Sequence, residues 1–232
     1  MENNIPKTRA QIIRRMIDMG ETELVRLPGE ESPEDNSQRG EILRQIEADI
    51  ADCKLCKLSA GRNKLVFGVG DPNAEIMFIG EAPGADEDRI GKPFVGRAGQ
   101  LLDKIFTAMG LSRASGIYIA NILKCRPPNN RDPEADEVEM CMPVLMRQIE
   151  AIAPKVICCL GRVAAQNLLG TDATLGNLRG KVHSFATGDG EVPVVVTYHP
   201  AYLLRNSAGK VPVWEDMKTL MRIADLELPR EG

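Results

Sequence analysis

The chain has 232 residues, a formal net charge of −4, and is 43% hydrophobic and 27% charged, the composition of a soluble globular protein. No apolar run reaches the roughly 18 residues of a membrane span, and Met1 to Gly20 holds no signal-peptide core, so a cytoplasmic protein is expected and membrane classes are set aside. The acidic balance, with a pI of about 5.4, gives no bulk signal for nucleic acid, and six cysteines in such a chain suggest metal binding rather than disulfides.

In chain order, residues 8–19 place Ile12, Ile13, Met16 and Ile17 at helical spacing. Leu27 to Gly40 is nearly devoid of apolar residues and reads as an acidic linker. Residues 1–38 are therefore expected to be a helical extension with a linker, and 39–232 the main domain. That domain opens with a helix from Glu41 to Asp52, with Ile42, Leu43, Ile46 and Ile50 on one face. Four short apolar runs follow as strands: Glu75–Ile79, Ile117–Ile122, Lys155–Leu160 and Val192–Val196. Helices are expected between or after them at Ala98–Met109, Pro133–Ile152, Arg162–Leu169 and Trp214–Ala224. Continuous apolar strands alternating with helices predict an α/β fold, a three-layer α/β/α sandwich on a four-stranded parallel sheet. Ligands of such sheets bind beyond the strands' carboxyl ends. The chemistry should therefore lie in the sequences after each strand, GEAPGADED, NILKCRPP, LGR and TYHPAYLLR.

Cys53 and Cys56 form a C-x2-C pair, with Cys125 and Cys141 further on. Four thiolates can close a zinc site or hold an iron–sulfur cluster, and spacing alone does not decide between them. Cys158 and Cys159 lie mid-strand among apolar neighbours and read as core.

Three strand-end blocks carry a resemblance. Gly80-Glu81-Ala82-Pro83-Gly84 with Gly91-Lys92-Pro93-Phe94-Val95-Gly96-Arg97-Ala98-Gly99-Gln100 is similar to the first motif of the family 4 uracil-DNA glycosylases. Asn121-Ile122-Leu123-Lys124-Cys125-Arg126-Pro127-Pro128 resembles that family's second block, and Tyr198-His199-Pro200-Ala201-Tyr202-Leu203-Leu204-Arg205 its C-terminal motif. The resemblance runs from about Glu41 to the C-terminus. It implies a uracil-DNA glycosylase-like fold, excision of uracil from DNA to leave an abasic site, and a structural [4Fe-4S] cluster on Cys53, Cys56, Cys125 and Cys141.

The chemistry such a reaction requires assigns roles. The base must leave the stack, which costs a few kcal/mol, and stacking in the pocket helps offset that cost; Phe94, in a Gly/Pro-rich loop with Gly80 and Ala82, suits the stack. Uracil offers an O4 acceptor beside an N3–H donor, and the Asn121 carboxamide can meet both. As charge develops on O2, a His199 donor aimed there stabilises the transition state above the ground state. Ala82 stands where family 1 relatives carry a water-positioning Asp, so Glu81 is the nearest carboxylate, and Glu87 is a candidate for the uracil C5 edge. Asp86 and Asp88 read as acidic surface, and His183 as structural. The missing Asp favours a mechanism led by leaving-group stabilisation.

DNA contact is expected at a basic mouth formed by Arg89, Lys92, Arg97, Lys124, Arg126, Arg131, Arg205 and Lys210, all following strand ends. Arg97, Arg126 and Arg205 are its leading phosphate contacts, and Leu203 (or Leu204) a wedge for the gap left by the flipped base. The expected partner is uracil-containing DNA, single- or double-stranded, met by a monomer. Competing readings are an iron–sulfur redox protein, which leaves Phe94, Asn121 and His199 idle, and a non-catalytic uracil-DNA binder on the same scaffold.

Overall fold

The computed structural model describes residues 33–188 and 190–229; the helix expected at 8–19 lies outside them. The described residues from Asn36 onward belong to one of the chain's two compact units. Among the described residues no helix is long and apolar enough to cross a membrane.

Helix α1 (Pro33–Asp49) starts within the stretch expected to be a linker, so residues 33–40 are helical and the expected boundary at residue 38 falls inside a helix. Once a helix is nucleated, each added residue gains a hydrogen bond at little further cost, and proline is tolerated in the first turn. The helix is anchored by the apolar stripe downstream: Leu43 and Ile46, and Ile50 just past its end, are buried. Ile42, assigned to the same face, is 42% exposed.

The four expected strands form the centre of the sheet. These are β2 (Ile76–Gly80), β3 (Ile117–Asn121), β4 (Val156–Leu160) and β6 (Gly190–Thr197). They run parallel in the order β3-β2-β4-β6. Two short edge strands were not legible in the sequence: β1 (Val69–Gly70) beside β3 and β5 (Val182–Thr187) beside β6, both antiparallel. β2, β3 and β4 are buried throughout, as is the second half of β6, and these stretches read as continuous apolar runs. β5 instead alternates exposed and half-buried residues, and β1 has two residues.

The helices after α1 are α2 (Ala85–Ile90), α3 (Arg97–Ala108), α4 (Ala135–Ile152), α5 (Arg162–Leu169), α6 (Leu175–Leu178), α7 (Pro200–Leu203) and α8 (Lys210–Ile223). Alternate strand residues feed two cores. Met77, Ile79 and Cys159 pack with α1, α4 and α5, while Ile76, Phe78 and Cys158 pack with α3 and α8. The result is the three-layer sandwich. The register pairs Gly80 with Asn121 and Leu160 with Thr197, so four strand ends finish along one rim.

Asp88 departs from the sequence reading of a surface acid, being 1% exposed. Its Oδ1 accepts the Asn63 and Lys64 backbone N–H groups and its Oδ2 the Asn63 side chain. It ties α2 to the chain that follows the C-x2-C turn, satisfying donors that burial would otherwise orphan. Asp86 is exposed, as expected, and pairs with Arg89.

Candidate active site

The strand ends open into a cleft of about 530 Å³ lined by Gly84, Glu81, Ala82, Glu87, Phe94, Asn121, His199, Arg97 and Arg205, among others. Its floor is Gly80. A Cβ there would lie 2.4 Å from Asn121 Oδ1 and 2.6 Å from Phe94 Cζ, so only glycine lets the carboxamide and the ring close over the strand end. Asn121 is 2% exposed and its Oδ1 has no hydrogen-bond partner. A buried acceptor without a partner carries a desolvation cost that a ligand N–H would relieve.

Phe94 is 6% exposed and sits in the left-handed region at φ 53°, a conformation rarely held by a bulky residue. Its ring lies 5.6 Å from that of His199, centroid to centroid, at 33°. His199 follows β6 and caps α7: the Ala201 N–H donates to its Nδ1 at 3.1 Å. A ring nitrogen accepting a hydrogen bond carries a lone pair, so the neutral ring bears its proton on Nε2. Burial lowers the pKa of His199 to about 4, with Arg205 adding to the effect and Glu87 opposing it. His199 is therefore a neutral Nε2–H donor at neutral pH. Gly161, at φ 97°, lies beneath it, where a Cβ would come within 3.1 Å of His199 Cβ. The preceding residues are anchored from behind. Thr197 Oγ1 donates to buried Asp216 at 2.6 Å, and Arg179 bonds the same carboxylate and lies over the Tyr198 ring at 4.1 Å.

The two glutamates have different surroundings. Burial pushes the Glu81 carboxyl up to about 7, reinforced by the Asp132 charge and opposed by Arg162. Asp132 and Arg162 pair at 2.8 Å. This pair was missed in the sequence, although Arg162 lies in the LGR sequence after β4. Glu87 is spent on the loop: Oε2 accepts Gly84 N–H at 3.1 Å, and Oε1 accepts Val95 and Gly96 N–H at 2.8 and 3.0 Å. It lines the cleft, but three backbone donors hold its carboxylate on the segment that carries Phe94.

The basic mouth is smaller than the sequence suggests. Lys124 is 2% exposed, and its Nζ donates to Asn121 O at 2.7 Å and Gln148 Oε1 at 2.6 Å. It is a buried strut under the Asn121 turn and cannot reach a phosphate. Arg131 is held by the buried Glu137, Nη1 to Oε2 at 2.8 Å, and by Glu134. Arg126 is half-buried outside the cleft lining, with Nε on Asn130 Oδ1 at 2.8 Å. Arg97 and Arg205 are exposed at the cleft. Leu203 is corrected as a wedge: it is 3% exposed and packs in the core, whereas Leu204 is 43% exposed. One helical step of about 100° turns the neighbouring side chain from core to solvent.

Cys53, Cys56, Cys125 and Cys141 come together around one small cavity beside Arg62 and Lys124, all with free thiols. Arg62 Nη1 donates to Cys53 O at 2.7 Å and Cys125 Sγ at 3.4 Å, and the Lys124 backbone N–H donates to Cys141 Sγ at 3.3 Å. Burial pushes the Cys125 and Cys141 thiols up, opposed by Arg62 and Lys124 respectively. Among the described residues no group of three His, Cys, Asp or Glu side chains is placed to hold a metal ion. Cys158 and Cys159 are fully buried in β4. His183 Nε2 bonds Leu178 O at 2.8 Å, away from the cleft.

Residues 67–218 match the uracil DNA glycosylase superfamily. A type-4 uracil-DNA glycosylase of Archaeoglobus fulgidus is 44% identical over 193 residues, 82% of this chain and 96% of that protein. One from Thermotoga maritima is 38% identical over 174 residues, 75% of this chain and 88% of the relative. A type-5 uracil-DNA glycosylase of Pyrobaculum aerophilum is 34% identical over 170 residues, covering 67% and 73%. With this match and with the strand-end site in place, the chain belongs to the type-4 uracil-DNA glycosylases of that superfamily.

Proposed function

We propose that the protein flips uracil out of DNA into this cleft and cleaves its N-glycosidic bond with water, releasing uracil and leaving an abasic site. The observation that carries the reading is the buried, unpartnered Asn121 Oδ1 beside the Phe94 ring and the neutral His199. Phe94 stacks on the base. Asn121 Oδ1 accepts from uracil N3–H, and its amide donates to O4. Cytosine, with an unprotonated N3 and a 4-amino donor, opposes that pattern. The C1′–N1 bond breaks with its electron pair going to the base, and the anion's charge spreads onto O2, where His199 Nε2–H donates. A neutral donor keeps its proton and strengthens its bond as charge grows. Water then adds its oxygen to C1′ and gives up a proton.

Glu81 is the carboxylate whose anion stabilises the sugar cation as the bond breaks and then orients the water. Its pKa near 7 gives the reaction a rising limb between about pH 6 and 8, as Glu81 ionises. Glu81→Gln should flatten that limb in single-turnover kinetics; a limb that survives assigns it to another group. The same shift has a stability sign. The folded state favours the protonated carboxyl, so the cost of burying Glu81 is absent below about pH 4.5 and grows as pH rises towards 7. Glu81→Gln should therefore raise Tm at pH 8 and leave it nearly unchanged at pH 4.

Arg97 and Arg205 contact phosphates at the rim, with Arg126 as an outer contact, and Leu204 fills the gap left by the base. Cys53, Cys56, Cys125 and Cys141 are proposed to hold a [4Fe-4S] cluster. The four cysteines line one small cavity, and an all-cysteine set of four is the ligand set such a cluster takes. When bound, the cluster supplies a rigid crosslink among the C-x2-C turn, the 125–134 loop and α4. Donors on two of the sulfurs, from Arg62 and the Lys124 N–H, favour the anionic charge that such a centre places on them.

The test is incubation of the iron-loaded protein with uracil-containing oligonucleotides, followed by alkali. Strand scission at uracil is expected, and none on single- or double-stranded substrate rejects the enzyme reading. Iron analysis and a broad visible absorption band, lost on Cys56→Ser, separate the cluster from zinc.

A further inference from the structure

Phe94 needs more than its own sequence to hold its place. Its φ of 53° is an unfavourable backbone state for an aromatic residue, sustained only where surrounding contacts enforce it. Three contacts do so from outside the loop. Arg113, in the turn between α3 and β3, donates Nη1 to Pro93 O at 2.8 Å and Nη2 to Phe94 O. Its Nε donates to Asp103 Oδ1 at 2.6 Å, on the exposed side of α3. Gly99, in the first turn of the same helix, sits so close that a Cβ would fall 1.7 Å from Phe94 O. The guanidinium fork thus spans two successive carbonyls and is itself held by a carboxylate, a rigid arrangement a lysine cannot reproduce. At the other end of the residue, the ring rests against Gly80 and beside His199.

We infer that Arg113 is a positioning residue for the base-stacking plate, holding Phe94 in its left-handed conformation through the Pro93 and Phe94 carbonyls, with Asp103 and Gly99 as its supports. The inference rests on the proposed reading of Phe94 as the uracil stack. Without the fork, Phe94 relaxes to an ordinary backbone state and the ring swings off Gly80. Arg113 does not line the cleft, so its loss acts through Phe94.

The experiment measures inhibition by free uracil, affinity for abasic-site DNA, and single-turnover excision for the wild type, Arg113→Gln, Phe94→Ala and the double variant. Arg113→Gln is expected to weaken free uracil inhibition about tenfold and slow excision, while affinity for abasic DNA, which has no base to stack, stays unchanged. In the Phe94→Ala background Arg113→Gln should have no further effect on uracil inhibition, because the two residues act as one unit. Arg113→Lys, which keeps the charge, should fall with Gln rather than with wild type, and it serves as the test variant if Gln does not fold. Uracil inhibition that is unchanged, or that is lost independently in the two backgrounds, overturns the inference. A wild type insensitive to uracil overturns the function reading instead.

Discussion

Single-turnover excision should fall by about 10²–10³-fold in His199→Ala, the range for removing one preorganised donor from a developing anion. The expectation follows from the hydrogen bond to Nδ1, which fixes the proton on Nε2, and from burial that keeps the ring neutral with a pKa of about 4. From pH 6 to 8 the donor is therefore present throughout, and the loss in the variant should be constant across that window. An imidazolium donor would lose its effect as pH rose through its pKa. Glu81→Ala should cost less than His199→Ala, because the carboxylate serves the sugar cation and water, while His199 meets the charge on the leaving base itself. The opposite ranking would show that water activation, and not the leaving group, limits bond cleavage. Affinity for abasic DNA should be the same for His199→Ala and wild type, which separates a chemical defect from a binding one.

Gly80→Ala should be nearly as damaging, for a steric reason. The added methyl would sit 2.4 Å from Asn121 Oδ1 and 2.6 Å from Phe94 Cζ, and both must move. The two groups proposed to read and stack the base are displaced together, and a misplacement of about 1 Å can cost about 10²-fold in rate. Overpacking a buried strand end lowers stability by about 1–3 kcal/mol, which a domain of this size should survive. The expected result is a folded protein with a modestly lowered Tm, about 100-fold slower excision and weakened inhibition by free uracil. Wild-type uracil inhibition in this variant would show that the packing of Asn121 and Phe94 over the strand end is looser than the contacts imply.

The same residues show where sequence legibility stops. The four central strands were readable because a strand buried on both faces must be apolar throughout, and that constraint is local. The edge strands were not, because a half-exposed strand such as 182–187 has no such constraint and is defined by its partner across the hairpin. Helix α1 began earlier than its apolar stripe, since polar residues extend a helix already anchored downstream. Leu203 and Leu204 are indistinguishable by composition, and only the turn of α7 against the core decides that the first faces inward.

Charge was the least legible property. Lys124 and Arg131 were expected at the basic mouth and Asp88 on the acidic surface, yet each is bound to partners brought near by the fold. Residue type therefore determined the alternation of strands and helices, the strand-end blocks and the cysteine set, because these follow from hydrophobicity, backbone preference and ligand chemistry along the chain. The tertiary structure alone decided which nitrogen of His199 holds the proton, why position 80 lacks a Cβ, which cations remain free at the cleft, and how Phe94 is held. The His199 tautomer follows from the turn that brings the Ala201 N–H, two residues on, to Nδ1; the others depend on groups distant in sequence coming close enough for hydrogen bonds and steric contacts to act.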